Sequence, residues 1–411
     1  MSSSRERTKK SLQRGYPWAI CVGDFSLLKD RLNDKDNKPC WVALQLFDAL
    51  LRGFGQVAFS NNPISGLLII AALAATAPGT LLFSASTGSL GLLLSVLLRH
   101  SQHHIENGIT VLNPLLVGAI SFVIIPKVYG SHDAFSILLV LLGTIFCVYL
   151  ARAFSTGKTP FIVWPFILTE ISLFLVLSAQ NNTTGEIVRA TQPIVVDNAT
   201  SDATSVDASF IGENATDLDW GMVFHGVVVS ASQLFALNNV VTASMIYLAV
   251  MIYSPTTATF AFLGALIGTV TGLHLGANLE EVYEGVWGFN CFLTGASLGG
   301  NFLVVTGQST MATIVAIIFT SVVQFGANIL MTKMGVPVFA VPFVMVCTIF
   351  LSLRSNPEDH TFVGPVVVSF PEKQRRDYLA SRRAALAQRI GELEEVDITG
   401  NNKRSSQVVD I

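Results

Sequence analysis

The sequence predicts an all-α polytopic membrane protein built as two inverted five-span repeats, about ten transmembrane helices in all. Three observations carry that expectation. Of 411 residues, 51% are hydrophobic and only 13% charged, with mean hydropathy +0.56, roughly half the charge of an ordinary soluble domain. The chain matches itself at a fixed offset of 177 residues. Every N-x-[ST] acceptor falls in one polar stretch between two apolar blocks.

The runs Pro63 to Leu98, Ala134 to Ala151, Trp220 to Leu279 and Gly285 to Thr332 contain no Asp, Glu, Lys or Arg. The second fits one span; the others, at 36, 60 and 48 residues, each hold two helices and a turn. Arg5, Arg7, Lys9, Lys10 and Arg14 precede the first block, and Arg354, Lys373, Arg375, Arg376, Arg382, Arg383, Arg389, Lys403 and Arg404 follow the last. Both termini are therefore expected on the cytoplasmic side. The basic, polar N-terminus has no apolar run of signal-peptide length. Five cysteines without CxxC or zinc-type spacing read as packing residues. The basic tails read as inside anchors, so no nucleic-acid partner is expected.

Gln180 to Trp220 carries seven acidic residues against Arg189 alone, and holds the acceptors Asn181, Asn182, Asn198 and Asn214. It is expected to be an extracellular, glycosylated linker.

At the offset, Gln56 pairs with Gln233, Asn61 and Asn62 with Asn238 and Asn239, and Pro78 with Pro255. Gly108 pairs with Gly285, Asn113 with Asn290, Leu116 with Leu293, Gly118 with Gly295, Pro165 with Pro342 and Phe166 with Phe343. Matches concentrated at Gly, Pro and Asn mark two copies of one backbone. In the first copy an amphipathic segment, Trp41 to Ser60, leads into spans near 64–78, 80–98, 109–125, 134–153 and 161–179, and the second repeats this from about 221 to 353. Five is odd, so a cytoplasmic start places the linker outside and inverts the second copy. The resulting division is 1–40 cytoplasmic tail, 41–179 first repeat, 180–220 linker, 221–353 second repeat and 354–411 cytoplasmic tail. Inverted repeats are a transporter architecture, with the path at their interface.

Ion or proton coupling usually needs ionisable groups in the membrane. Glu170 is the main exception to their absence, and its mate is Cys347; its expected place is an interface or a mouth, with a functional role as the alternative. His225 and His274 lack histidine mates, and His100, His103 and His104 are expected in a loop. The repeat duplicates amides and aliphatics instead. "EGVWGFNCFLTGASLGGN" around Asn290 mirrors "NGITVLNPLLVGA" around Asn113. Such a lining suits a small neutral molecule with several hydrogen-bonding edges. The bland alternative is helix contacts, favoured here for Asn61, Asn62, Asn238 and Asn239, whereas the glutamines are assigned to the pore.

At these residues the sequence resembles the urea transporter family, from about Trp41 to Leu353 and again at "SFPEKQRRDYLA". The carriers are "LRGFGQVAFSNNPISGLL", "EEVYEGVWGFNCFLTGASLGGNF" and the doubled "TPFIVWPF" and "VPVFAVPF". The resemblance implies a passive channel in a homotrimer, each subunit with its own pore, in which pore helices at the repeat interface present oxygens to urea N–H groups and apolar side chains form a slot. Carried onto this chain, the pore-helix glutamines are Gln56 and Gln233, with Phe59 nearby. The slot residues are Leu112 and Leu116 in the first copy, and Phe289 and Leu293 in the second. Three departures from the family pattern involve four positions. Leu112 stands for a phenylalanine, Val240 for a proline, and Val163 and Ala340 for the two threonines that face the middle of the pore.

The leading reading is a plasma-membrane urea channel needing no cofactor, with membrane lipid around it. Alternatives are the same fold passing water, ammonia or another small neutral solute, and a non-transporting membrane glycoprotein. No nucleophile–base motif or metal-ligand cluster points to an enzyme. The segment 371–395 reads as a charged amphipathic helix on a solvated face, and the terminal "VVDI" as a possible short partner motif.

Overall fold

A computed structural model describes residues 22–33, 39–155, 163–191, 218–355, 361–365 and 369–388. The described residues are mostly helical and contain no strand. α1 (Ser26–Asn33) precedes the first copy, which runs α2 (Pro39–Gln56), α3 (Pro63–Thr76), α4 (Pro78–Leu97), α5 (Gln102–Glu106), α6 (Ile109–Val128), α7 (Ala134–Phe154) and α8 (Trp164–Thr191). The second runs α9 (Trp220–Val229), a 3-10 turn (Ser232–Phe235), α10 (Val240–Tyr253), α11 (Pro255–His274), α12 (Leu279–Tyr283), α13 (Val286–Ala296), a π-helical turn (Ser297–Asn301), α14 (Gly307–Lys333) and α15 (Val341–Ser352). A last helix, α16, covers 371–388.

Among the described residues, α4, α6, α7, α11 and α14 are long and apolar enough to cross a membrane. Shorter apolar helices are α3, the 164–180 part of α8, α9, α10 and α15. The bounds of α3 and α10, of α4 and α11, and of α5 and α12 repeat at the 177-residue offset. Local signals explain the starts. Proline opens α3, α4 and α11, where its missing N–H costs nothing, and Asn62 and Asn239 cap α3 and α10 through their side chains.

Packing repeats as well. α6 lies against α4, α7 and α8, as α13 lies against α11, α14 and α15. The close pair in each copy needs a residue without a side chain: a Cβ on Gly118 would meet the Phe83 carbonyl, and one on Gly295 the carbonyl of its mate Phe260. The copies meet along α3 and α10. Ser65, near the start of α3, donates to the Ala249 carbonyl near the end of α10 (2.6 Å), and Thr76 at the end of α3 pairs with Thr242 at the start of α10 (2.7 Å). These two helices are therefore antiparallel.

Four expectations change. The third span of the second copy is not one long helix like α6. It breaks after Ala296, because Gly299 and Gly300 stand where the first copy has Phe122 and Val123, and Gly300 adopts φ +128°. α8 continues past its apolar part, 164–180, through the polar sequence to Thr191, so the backbone of Asn181 and Asn182 is helical; their side chains, and Asn198 and Asn214, lie outside the described residues. His103 and His104 sit on α5 rather than in a loop. The first turn of α16 is docked, not solvated: the Glu372 carboxylate accepts from Ser254 Oγ and Thr256 N, both at 2.9 Å, at the start of α11. Ser369 donates to Asp24 Oδ2 at 2.6 Å, tying the two tails together. "VVDI" lies outside the described residues.

Candidate functional site

One cavity of about 480 Å³ is bordered by all nine side chains that the sequence nominates: Gln56, Phe59, Leu112, Leu116, Val163, Gln233, Phe289, Leu293 and Ala340. They come from four pairs of mates and one extra residue, so equivalent places in both copies converge on the same space.

Gln56 ends α2 and Gln233 lies in the 3-10 turn after α9; both are half-buried, and each amide is oriented by a backbone carbonyl. Gln56 Nε2 donates to the Asn107 carbonyl at 3.1 Å, and Gln233 Nε2 to the Glu284 carbonyl at 2.7 Å. Asn107 and Glu284 are themselves mates. Only the NH₂ can donate to a carbonyl, so Oε1 is left as the acceptor available to the cavity in both. The accepting carbonyls are set in place by the turn before the next helix, where Gly108 (φ +68°) and Gly285 (φ +80°) take the left-handed conformation that glycine tolerates.

Apolar walls follow. α6 places Leu112 and Leu116 one helical turn apart, and α13 does the same with Phe289 and Leu293. Phe59, at φ +57°, is held by edge contacts with Phe302 (5.7 Å, 84°) and Phe343 (5.9 Å, 70°). Its mate at φ +54° is Ala236, which also borders the cavity.

In the middle, two helices begin inside the protein. Val163 precedes α8 and Ala340 caps α15, exposed by only 6% and 7%, and their carbonyls accept from Ile167 N and Val344 N. No hydroxyl side chain stands at either position, so the central wall is aliphatic and aromatic, with Phe166, Phe339 and Phe343 beside them.

The duplicated asparagines do not line this cavity. Asn113 Oδ1 accepts from Phe166 N at 3.3 Å, in the first turn of α8. Asn290 Nδ2 donates to Gln324 Oε1 (3.0 Å) and to the Phe339 carbonyl (3.2 Å). Asn113 thereby ties the first turn of α8 to α6, and Asn290 ties α13 to a side chain of α14 and to the backbone just before α15. Asn61, Asn62 and Asn239 are likewise structural. Asn61 bonds Asn107 Oδ1, Asn62 caps α3 and holds the Gly23 carbonyl, and Asn239 caps α10. Asn238 departs from this pattern by bordering the cavity. Glu170 is fully buried away from it, with Oε1 accepting from Ser121 Oγ at 3.1 Å.

Several lining residues escaped sequence reasoning. Gln324, Asn328 and Thr332 border the cavity from α14, and the mate of Gln324 is Cys147, so the repeat offered no signal there. Phe166 and Phe343 do match at the offset, and that duplication was the available signal. Lys127, Glu281 and Glu284 border the cavity too. Lys127 closes the 20-residue α6, about 30 Å from the Gly108 end, and so belongs with the Gln233 end.

The urea transporter family model matches residues 47–355. "Urea transporter 1" of Ovis aries is 27% identical over 383 residues, covering 92% of this chain and 92% of that protein. "Urea transporter 1" of Rattus norvegicus is 27% identical over 369 residues, covering 88% of this chain and 90% of that one. The match spans both copies, the cavity and every nominated lining residue, and the chain belongs to the urea transporter family.

Proposed function

We propose that this chain moves urea across a membrane passively, through the cavity between its two copies. The observation that carries this reading is the convergence of all nine nominated side chains on that one space. An amide acceptor at each end, from Gln56 and Gln233, meets urea N–H groups, and the apolar walls hold the molecule flat between them. Apart from Lys127, Glu281 and Glu284, the lining offers shape and acceptors rather than charge, which suits a neutral solute moving down its gradient.

The two copies are inverted five-segment units, with the broken and short helices meeting at the bilayer midplane. Antiparallel packing of α3 on α10 supports the inversion. Both termini are then cytoplasmic, the linker and the Gln233 end face outward, and the sequons are glycan acceptors. A plasma-membrane homotrimer, each subunit carrying its own pore, is the assembly we assign by family likeness.

The aliphatic middle formed by Val163 and Ala340 favours a second reading, in which water or ammonia passes at least as readily as urea. Purified protein in sealed vesicles separates the two. Stopped-flow urea flux well above that of empty vesicles supports the first. Water flux with no urea flux supports the second, and no flux of either kind defeats both.

A further inference from the structure

The turn that orients the Gln56 amide is braced from outside the repeat. Asn107, whose carbonyl accepts from Gln56 Nε2 at 3.1 Å, is buried, and its side chain is engaged at both ends. Its Oδ1 accepts from Lys29 Nζ (3.1 Å) and Asn61 Nδ2 (2.9 Å), while its Nδ2 donates to the His103 carbonyl (2.6 Å). Lys29 Nζ also pairs with Glu106 Oε2 at 3.3 Å, so one ammonium holds two successive residues of the turn. Three bonds on one side chain therefore fix the residue whose carbonyl fixes Gln56.

Both donors are themselves anchored. Arg52 Nη1 bonds the Asn61 carbonyl (3.1 Å) and Oδ1 (3.2 Å), which leaves Asn61 Nδ2 for Asn107. Lys29 lies on α1, whose lead-in is tied down at Gly23 and Asp24. Asn62 Nδ2 donates to the Gly23 carbonyl (2.6 Å), Arg52 Nη1 to the Asp24 carbonyl (2.9 Å) and Ser369 Oγ to Asp24 Oδ2 (2.6 Å). At the far end of α1, Gln45 Nε2 donates to the Leu32 carbonyl at 2.9 Å. The Gln233 end has no such brace at the equivalent places. The mate of Arg52 is Val229, that of Asn107 is Glu284, and the position 177 residues beyond Lys29 is Val206, ahead of the second copy.

We propose that Lys29 is a positioning residue for the pore. Through Asn107 it holds the Gln56 acceptor toward the solute path, so the Gln56 end depends on a segment outside both repeats and the Gln233 end does not. Lys29 is not among the residues that border the cavity. A neutral side chain in its place takes one of two donors from Asn107 Oδ1 and removes the ammonium from Glu106. The turn loosens, Gln56 Oε1 spreads over more orientations, and a misplaced group of this kind costs rate. The inference rests on the transport reading above for its effect on flux, though not for the link between Lys29 and the turn.

Urea and water permeabilities of Lys29→Met protein in sealed vesicles are the first measurement. Urea permeability should fall about threefold to tenfold while water permeability holds, and Lys29→Arg, which keeps a charged donor, should recover much of the loss. Glu106→Gln combined with Lys29→Met removes the stranded carboxylate. Urea permeability should stay low in that protein; its return to the unmodified value means that Lys29 serves Glu106 alone and overturns the proposal. A double-mutant cycle separates positioning from general destabilisation. In a Gln56→Leu background Lys29→Met should change urea permeability by less than about twofold, whereas in a Gln233→Leu background it should cost about threefold to tenfold as before. Equal losses in the two backgrounds overturn the proposal. Hydrogen–deuterium exchange of purified protein reads the turn without flux. The amides of 107–112, bonded within this turn and the start of α6, should exchange several-fold faster in Lys29→Met, and those of 284–289 at the unmodified rate. Lys29→Gln serves as a second variant, and unchanged exchange at 107–112 in both overturns the link. Absent urea flux in the unmodified protein, with Lys29-dependent exchange at this turn, overturns the transport reading and leaves the positioning link standing.

Discussion

Restoring hydroxyl groups to the middle of the cavity, with Val163→Thr and Ala340→Thr together, should raise urea flux several-fold or more. Both positions border the cavity and are nearly buried. A threonine oxygen at a helix start normally accepts from the N–H two or three residues on, which would turn it away from a solute. Here that competition is weak. The residue two on is proline in both helices, Pro165 and Pro342, and Phe166 N–H is already bonded to Asn113. The hydroxyl at 163 therefore stays free for urea. Each such bond contributes about 0.5–1.5 kcal/mol net, so two lower the central barrier by about 1–3 kcal/mol, which is about 5-fold to 150-fold in rate. Val163→Thr preserves shape but adds a polar group, and Ala340→Thr adds volume toward the cavity. Stopped-flow urea and water permeabilities of matched, equally reconstituted vesicles are the assay, with urea rising more than water. Unchanged or reduced urea flux in a folded double variant refutes the reasoning and moves the rate-limiting barrier to the glutamine ends.

Arg52 is fully buried, bonding Asp48 Oδ2 at 2.7 Å and the Asp24 and Asn61 carbonyls; Arg52→Ala should cost about 3–5 kcal/mol by stranding Asp48, visible as a lower melting temperature that Asp48→Leu with Arg52→Met largely restores. Asn290→Ala removes the donor to Gln324 and Phe339 and should cost about 1–3 kcal/mol; melting together with the urea-to-water ratio tests it, and a ratio unchanged in a destabilised protein would argue against coupling of this network to the slot. Burial, then Arg152 and His104, holds the His100 imidazole below its ordinary range, and burial, then His103, does the same for His104. Their neutral forms are favoured in the fold, so stability is complete above about pH 6.5 and falls as pH drops below that value; the melting decrease on acidification should shrink in His100→Asn with His104→Asn. Replacing Asn181, Asn182, Asn198 and Asn214 with Gln should abolish any glycosidase-sensitive mass shift, and a surviving shift would contradict confinement of glycans to the linker.

Much of the site was legible because it is duplicated. A glutamine, a leucine or a proline that recurs at the same offset is constrained in both copies, and Gln56, Gln233, Leu116 and Leu293 were found that way. Gln324 and Asn328 were not, since their mates at the offset are Cys147 and Ala151 rather than amides. Asn113 and Asn290 were found but misread. The offset shows that a polar side chain is required twice, yet it cannot tell a solute from a backbone N–H or carbonyl as its partner.

By itself the sequence determined the membrane class, the two copies, the order and approximate bounds of their helices, and the residue types at equivalent places. These follow from local quantities: apolar run length, the missing N–H of proline, the conformational freedom of glycine and capping by asparagine. Only the tertiary structure decided that α13 breaks into a π-helical turn, that Asn290 turns toward Gln324 and the Phe339 carbonyl, that the tails clasp each other through Asp24 and Ser369, and that Phe59 is braced while Ala236 is bare. Each depends on which way a side chain points and which distant residue it meets, and those are settled by packing between segments far apart in the chain rather than by the composition of either segment.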